Sequence, residues 1–409
     1  MSNVHRILLA LVLGLLLGIG SAALGGGWAE NGIAIAEPIG AIWLNALRMT
    51  IVPLVVSLLI TGIAGAGAAA RSSRLAGRAL LWFAILLTFS ATLGALLTPL
   101  LLAIWPLPAA AADALRVGFA GTQTTTQVPG IAEFLKAIVP TNPVAAAAND
   151  AILPLIVFTS LFAFALTRVA KEPRERLTGL FAAIGDVMLV MIGWILAFAP
   201  FGVLALAFVL GARSGAAAFG ALVHYIIVVS AAGVVMSLLA YPVAIIGARL
   251  SLRDFSRAVA PAQAVAISTQ SSLASLPAML RGAEALRVPV EASGVVLPLA
   301  VALFRATGPA MNVAVVVYVA DLLGIQLGVI QIAAAIAVAA ITTFGTVSLP
   351  GQISFVTSVA PIAMAAGIPI EPLLLLVAVE NIPDIVRTFG NVTMDVAVTA
   401  TVARRSDRR

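Results

Sequence analysis

Cysteine is missing from all 409 residues, which excludes a disulfide framework, a thiolate nucleophile and a thiolate metal site. Histidine is nearly missing: His5 and His224 are the only two, too few for a histidine cluster. Charge is scarce as well. Asp, Glu, Lys and Arg make up 10% of the chain against 62% hydrophobic residues, whereas soluble domains carry about 25% and 45–50%. With a mean hydropathy of +1.13, these shortages exclude an ordinary soluble domain and leave a polytopic membrane protein. The net charge of +6 does not point to nucleic acid, because the bases lie in short loops instead of on a soluble face. They read as an orientation signal.

His5 and Arg6 precede a first apolar run near 6–25. Basic loops follow at 71–78 (RSSRLAGR), 168–177 (RVAKEPRERL) and 249–257 (RLSLRDFSR), and the chain ends ARRSDRR. Lys and Arg concentrate in short cytoplasmic loops. Further runs near 37–66, 75–106, 130–167, 178–213, 219–248, 293–324 and 370–403 are long enough to span about 30 Å of hydrocarbon. Eight spans put every basic loop on one side and both termini in the cytoplasm. The acidic segment WAENGIAIAEP (28–38) then falls outside. The first run is too long, and continues into too apolar a sequence, to be a cleaved signal peptide.

Two intervals do not fit as plain spans. Residues 258–290 contain AVAISTQSSLASLPAMLRG and residues 328–366 contain AAITTFGTVSLPGQISF, each with Ser or Thr and a Pro near its middle. Irregular backbone at membrane depth must be buried in protein or line a cavity. The pattern predicts two helical hairpins that enter the membrane, turn, and leave by the same face, the first from the cytoplasm and the second from outside. Paired broken segments of this kind point to a transporter's binding site.

Near the C-terminal end, VENIPDIVRTFGNVTMDVAV (379–398) places Glu380, Asp384, Arg387, Asn391 and Asp395 at spacings of 4, 3, 4 and 4. On a helix this is one polar stripe. Val379, Ile382, Ile385, Val386, Phe389, Val392 and Val396 occupy the other faces. Intramembrane charges normally face a cavity or a partner, at a cost of about 2.5–3.5 kcal/mol each at mid-bilayer. Pairing of Arg387 with Asp384 at i,i+3 accounts for one acid, not three, so the stripe reads as functional. An intramembrane aspartyl protease is disfavoured, because Asp384 and Asp395 share one helix face about 16 Å apart.

The chain resembles the dicarboxylate/amino acid:cation symporters, the glutamate transporter homologues. IVPTNPVAAAANDAILPLIVF (138–158) resembles the family's fourth-helix signature, LRMTIVPLVVSLL (47–59) its second helix and APFGVLALAFVLG (199–211) its fifth. STQSSLASLP (268–277) and GTVSLPG (345–351) resemble its two hairpin tips, and RTFGNVTMD (387–395) its eighth-helix Arg-Thr-x-x-Asn-Val-Thr-x-Asp pattern. These segments come in family order and cover almost the whole chain.

The resemblance implies an all-α fold of eight transmembrane helices plus two re-entrant hairpins, working as an elevator and assembled as a homotrimer in membrane lipid. Residues 1–74 and 107–213 would be scaffold. Residues 75–106 and 219–409 would be the mobile transport domain, with hairpins at 258–290 and 328–366. Substrate would be held by Arg387 and Asp384 with support from Asn391, between tips formed by Gln270, Ser271 and Ser272 on one side and Leu349, Pro350, Gly351 and Ile353 on the other. Asp395, Asn391, Thr343 and Thr346 match possible sodium ligands, and Glu380 and Asp395 are candidates for carrying a proton. Arg387 matches the arginine that holds a substrate's side-chain carboxylate, and Asp384 the acid that receives its ammonium. The pair favours an acidic amino acid over a plain C4-dicarboxylate.

One departure complicates the transfer. Where the family's seventh helix carries Asn-Met-Asp-Gly-Thr, this chain reads Phe304-Arg305-Ala306-Thr307-Gly308. The sodium-binding Asn and Asp are absent, Gly308 stands for a substrate-contacting Thr, and Arg305 is added. Thr307, Gly308 and Pro309 keep the means to unwind the helix, and Asn312 offers an oxygen one turn on. Thr88 and Ser90 lie near the family's third-helix Thr-Ser pair but out of register. Pro383, inside the stripe, predicts a kink. The expectation is a secondary active transporter for an acidic amino acid or related dicarboxylate. It needs no cofactor beyond a sodium ion or proton, is coupled to few cations because Arg305 replaces one, and is not an enzyme. The alternatives are an uncoupled exchanger or substrate sensor on the same fold, and a C4-dicarboxylate symporter.

Overall fold

The structure, a computed structural model, describes residues 3–25, 27–108, 112, 139–149, 151–215, 217–344 and 351–406. Among these residues every regular element is a helix. In chain order they are α1 (Asn3–Leu24), α2 (Trp28–Ser72), α3 (Arg74–Ile104), α4 (Pro143–Ala148), α5 (Ile152–Leu166), α6 (Lys171–Ala197), α7 (Ala199–Ser214) and α8 (Ala217–Leu238). The path of α8 continues through Ala240–Pro242 into a π-turn at Val243–Gly247. Then come α9 (Leu252–Thr269), α10 (Ser272–Ala285), α11 (Val290–Leu303), α12 (Gly308–Leu323), α13 (Val329–Thr343), α14 (Gly351–Ala365), α15 (Glu371–Leu376) and α16 (Asn381–Ser406). Among the described residues six stretches are long and apolar enough to cross a membrane, including Arg6–Leu24, Trp28–Ala70 and Val290–Leu323. Four shorter apolar helices accompany them.

The helices pack in two groups. In the first, α2 lies against α5, α6 and α7, while α1 runs along α7. A Cβ on Gly14 would strike the backbone of Leu204, one on Gly18 the backbone of Phe208, and one on Gly211 that of Leu15. The register rises together on both helices, so α1 and α7 are parallel and their backbones nearly touch. Small residues permit this approach, which stabilises helix pairs in lipid through dispersion. In the second group α3 packs on α12 and α13, the α9–α10 hairpin folds on itself against α16, and α8 also packs on α16. A core of Phe83, Phe255, Phe304, Met279 and the alanines of α9, α10 and α16 fills this second group. Arg48 of α2 reaches Glu371 of α15 at 3.0 Å across the two groups.

Several element boundaries differ from the sequence expectation. The run expected near 37–66 is longer and takes in WAENGIAIAEP: α2 is continuous for 45 residues, about 68 Å at 1.5 Å per residue. Its Ala, Ile and Glu residues favour helix, and Pro38 and Pro53 are absorbed within it. The run 178–213 breaks at Phe198, where Pro200 restarts the chain in the first turn of α7. The run 293–324 breaks between Leu303 and Gly308. The run 370–403 breaks between Leu376 and Asn381. That last break places Pro383 in the first turn of α16, where no intrahelical N–H bond is lost, so no kink needs to follow from it.

Candidate functional site

The site is built where helices stop. After α15 the chain turns through Val377–Glu380 on short i→i−3 bonds, with the N–H groups of Ala378 and Val379 donating to the carbonyls of Leu375 and Leu376, both at 3.1 Å. Glu380 therefore sits in a turn, not on the helix, and begins the stripe that Asp384, Arg387, Asn391 and Asp395 continue down α16. Asp384 lies in the first turn of that helix, where a negative charge is favoured. All five side chains are buried.

Arg387 is the hub. Its Nη1 donates to Asp384 Oδ1 at 3.0 Å and stands in an ion pair with Glu380 Oε1 at 2.5 Å. The other Glu380 oxygen, Oε2, accepts from the Tyr225 hydroxyl of α8 at 3.1 Å. The Nε and Nη2 groups of Arg387 are buried and have no hydrogen-bond partner. These two form the side edge of the guanidinium, the fork that matches a carboxylate bidentately.

The break between α11 and α12 faces this hub. Phe304 is extended and stacks on Phe83 of α3 at a centroid distance of 4.4 Å. The Ser90 hydroxyl donates to the freed Ala306 carbonyl at 2.5 Å, while the Ala310 N–H donates to Ser90 Oγ at 3.0 Å. Ser90 thus stitches both ends of the break to α3, whereas Thr88 is exposed and bonds back to Ala84. The backbone N–H and hydroxyl of Thr307 donate to Asn391 Oδ1 at 2.9 and 2.7 Å, and the hydroxyl also reaches the Arg387 carbonyl at 2.7 Å. Asn391 Oδ1 is thereby engaged by Thr307. Gly308 follows, buried at the start of α12, and Asn312 is buried one turn on.

The first hairpin turns at Gln270, whose φ of 51° is left-handed, and Ser271, which accepts from the Ala274 N–H to cap α10. Ser272 is buried. The Gln270 side chain donates to the Asn381 carbonyl at 3.3 Å, bringing this tip to the start of α16. Lower down, Gln263 donates to Thr393 at 2.9 Å. Of the second tip, Thr346, Leu349 and Pro350 lie outside the described residues. Gly351 opens α14, but the side-chain surroundings of Gly351 and Ile353 are likewise undescribed. Thr343, at the end of α13, is buried and its hydroxyl donates to the Ala339 carbonyl at 2.7 Å.

Asp395 is fully buried, and neither carboxylate oxygen receives a hydrogen bond. The positive charge acting on it is that of Arg305, at the α11–α12 break, which also acts on Asp384. A carboxyl group left without hydrogen bonds at this depth either pairs with a cation or takes up a proton. Among the described residues no three His, Asp or Glu side chains gather as a metal-binding group.

Tyr225 and Gln263 were not among the sequence candidates, and Thr307 was read as a helix breaker and not as the partner of Asn391. A lone hydroxyl or amide in an apolar run carries no periodic signal. Only the i,i+4 register of Gln263 with a buried hairpin face could have drawn notice.

Buried charges converging on broken helices and a hairpin tip, inside an apolar multi-helix bundle, define a secondary transporter of the membrane. The description of the sodium:dicarboxylate symporter family matches residues 4–405, and the chain belongs to that family. It therefore has the glutamate transporter fold and is a multi-pass membrane carrier, not an enzyme. It is similar to the proton/glutamate-aspartate symporter of Escherichia coli K12, 29% identical over 98% of this chain and 92% of that protein. It is 27% identical to C4-dicarboxylate transport protein 2 of Ralstonia nicotianae, over 97% of this chain and 88% of the relative. It is also 27% identical to the proton/sodium-glutamate symport protein of Bacillus subtilis 168, over 95% and 89% of the two chains.

Proposed function

We propose that the chain takes up an acidic amino acid, aspartate- or glutamate-like, across the plasma membrane, with both termini in the cytoplasm. The observation that carries this reading is the free edge of Arg387. Its Nη1 is spent on Glu380 and Asp384, while Nε and Nη2 are buried without partners. A substrate carboxylate supplies the missing acceptors. Asp384, one turn away on the same face, receives the ammonium. The Gln270–Ser272 turn closes over the pocket, with Gly308 along its wall, and the family resemblance assigns the facing gate to the segment that holds Leu349, Pro350, Gly351 and Ile353. The group of α3, α8 and α9–α16 moves as an elevator against α1, α2 and α4–α7, in a homotrimer.

Coupling follows from Asp395. Sodium at Asp395, with Asn391, would need the oxygen that Asn391 now lends to Thr307. The Arg305 charge stands in for that ion. A remaining cation is a sodium near Thr343 and Thr346 or a proton on Glu380 or Asp395.

A thermal-shift panel tests this on the purified protein: aspartate, glutamate, succinate and malate, each with and without sodium. A ligand at a hundred times its dissociation constant stabilises the folded state by about 2.7 kcal/mol. Stabilisation by the amino acids with little sodium dependence is the expected result. Stabilisation by the plain diacids alone moves the reading to a C4-dicarboxylate carrier, and a steep multi-sodium dependence removes Arg305 from the coupling role.

A further inference from the structure

A cavity of about 480 Å³ opens at the far end of the second helix group, away from the polar stripe. It is the end that carries the basic loop 249–257 and the C-terminal arginines, the end that the positive-inside rule assigns to the cytoplasm. Three segments meet there: Ala248 and Leu250 after the π-turn, Leu286–Pro289 after the first hairpin, and Ala400, Ala403 and Arg404 near the end of α16. The wall is amphipathic. Leu250, Leu286, Val288, Pro289 and the alanines make it apolar, and among the described residues the charged ones lining it are Arg287 and Arg404.

The two arginines are presented in a particular way. Arg404 Nη1 donates to the Ala248 carbonyl at 2.6 Å, which fixes its guanidinium on the wall. Arg287 stands on a backbone with φ +57°, and Arg249, between the lining residues Ala248 and Leu250, has φ +53°. Left-handed backbone is costly for a residue with a long side chain and persists where the surroundings impose it. Here it turns the chain sharply in two of the segments that line the cavity. Among the described residues no carboxylate lines the cavity, so two positive charges border it and no negative one.

We propose that this cavity is an anion site for a phosphate group, held between Arg287 and Arg404. Two guanidiniums with an apolar wall suit a phosphodiester whose glycerol side rests on Leu250, Val288 and Pro289, the chemistry of an anionic lipid headgroup such as phosphatidylglycerol. Basic pockets at the cytoplasmic ends of membrane helices take such headgroups. Free inorganic phosphate shares the recognition chemistry without the apolar part. Occupancy ties together the end of the α8 path, the exit of the first hairpin and the end of α16.

The test uses the full-length protein in detergent, titrated with phosphatidylglycerol, phosphatidylcholine or inorganic phosphate, while its unfolding temperature is read from Trp fluorescence. Arg287→Gln/Arg404→Gln is compared with Arg253→Gln/Arg257→Gln, an equal charge loss on exposed residues of the same end. Phosphatidylglycerol raises the unfolding temperature of the wild type and the control pair, and phosphatidylcholine does not. In the cavity pair the apparent dissociation constant rises at least roughly tenfold, the loss expected for one charge-assisted hydrogen bond. If inorganic phosphate gives the whole effect and the lipid adds nothing, the occupant is the free anion. Equal loss in both variant pairs, or no loss in the cavity pair, overturns the site. Should the double variant not fold, the single Arg287→Gln, whose side chain is exposed, decides by the same readout.

Discussion

Gly390 lies on α16 between Arg387 and Asn391, and adding one methyl group there measures how tightly the site is packed. A Cβ at this position would fall well inside contact with Ser237 Oγ of α8 and with Thr307 Cγ2 at the helix break. Neither neighbour is loose. Ser237 Oγ donates to the Gly233 carbonyl at 2.7 Å, and Thr307 is held by three hydrogen bonds to α16. Forcing the methyl in costs about 1–3 kcal/mol of overpacking. Displacing Thr307 loses one or two hydrogen bonds at about 0.5–1.5 kcal/mol each. Alanine returns about 0.8–1 kcal/mol of helix propensity over glycine. The balance for Gly390→Ala is a destabilisation of about 2–3 kcal/mol, together with weaker aspartate binding, because Thr307 orients Asn391 beside Arg387. Chemical unfolding followed by Trp fluorescence and a calorimetric binding titration read the two effects. Gly185→Ala is the control: its Cβ would meet Ser57 Cβ at 3.5 Å, an ordinary contact, so stability should hold or rise. Adding Ser237→Gly to Gly390→Ala should recover only part of the loss, since Thr307 still blocks the methyl. Wild-type stability and affinity in Gly390→Ala would refute the packing argument.

Arg387→Cys should lower acidic-substrate affinity by at least roughly a hundredfold, as loss of a bidentate charged contact implies, and should admit neutral amino acids; affinity retained within a few-fold in a binding titration contradicts the assignment. Arg305→Met should either destabilise the protein or create sodium-dependent binding where little existed. A variant as stable and as sodium-insensitive as the parent leaves Asp395 without the partner assigned to it. Tyr225→Phe removes the hydroxyl from Glu380 Oε2 and should destabilise by about 1.5–3 kcal/mol, the range for a hydrogen bond to a charged group, as read by chemical unfolding; no change means Glu380 does not depend on that bond. Cysteines introduced at Ser272 and Pro350, in a chain that has none of its own, should block uptake once cross-linked, and unimpaired uptake after verified cross-linking removes the second tip as a gate.

The spacing of Asp384, Arg387, Asn391 and Asp395 was enough to place them on one face, because helical periodicity depends only on sequence distance. Glu380 shares the spacing but not the helix. The chain leaves helical geometry between Leu376 and Asn381, and the i,i+4 pattern cannot register such a break. The Ser-rich turn at Gln270–Ser271 was legible for a local reason, since hydroxyl and amide side chains compete for backbone donors there. The break at 304–307 was half legible: Thr307, Gly308 and Pro309 signal it, but its closure by Ser90 spans 216 positions of sequence. Thr307's hold on Asn391 and Tyr225's on Glu380 are likewise long-range, at 84 and 155 positions. Such pairings become visible only once the helices are in place. The same holds for the pairing of Glu37 in α2 with Arg213 in α7 at 3.1 Å.

The glycine-to-backbone seam between α1 and α7 has a consequence for how the protein is made. During synthesis α1 reaches the bilayer long before its partner: 175 positions (199 − 24) separate Leu24 from Ala199. At about 5–20 residues per second the wait is roughly ten to thirty-five seconds. Throughout that interval the Gly14-x-x-x-Gly18 face lies bare in lipid, and small-xxx-small faces of this type pair with one another. A newborn chain is thus at its most adhesive before α7 has been translated, and neighbouring ribosomes on one message hold several such faces close together. The late arrival of α7 does more than complete a fold: it withdraws α1 from competition with its sister chains, and a message truncated before Ala199 yields a product whose first helix stays available to the wrong partner.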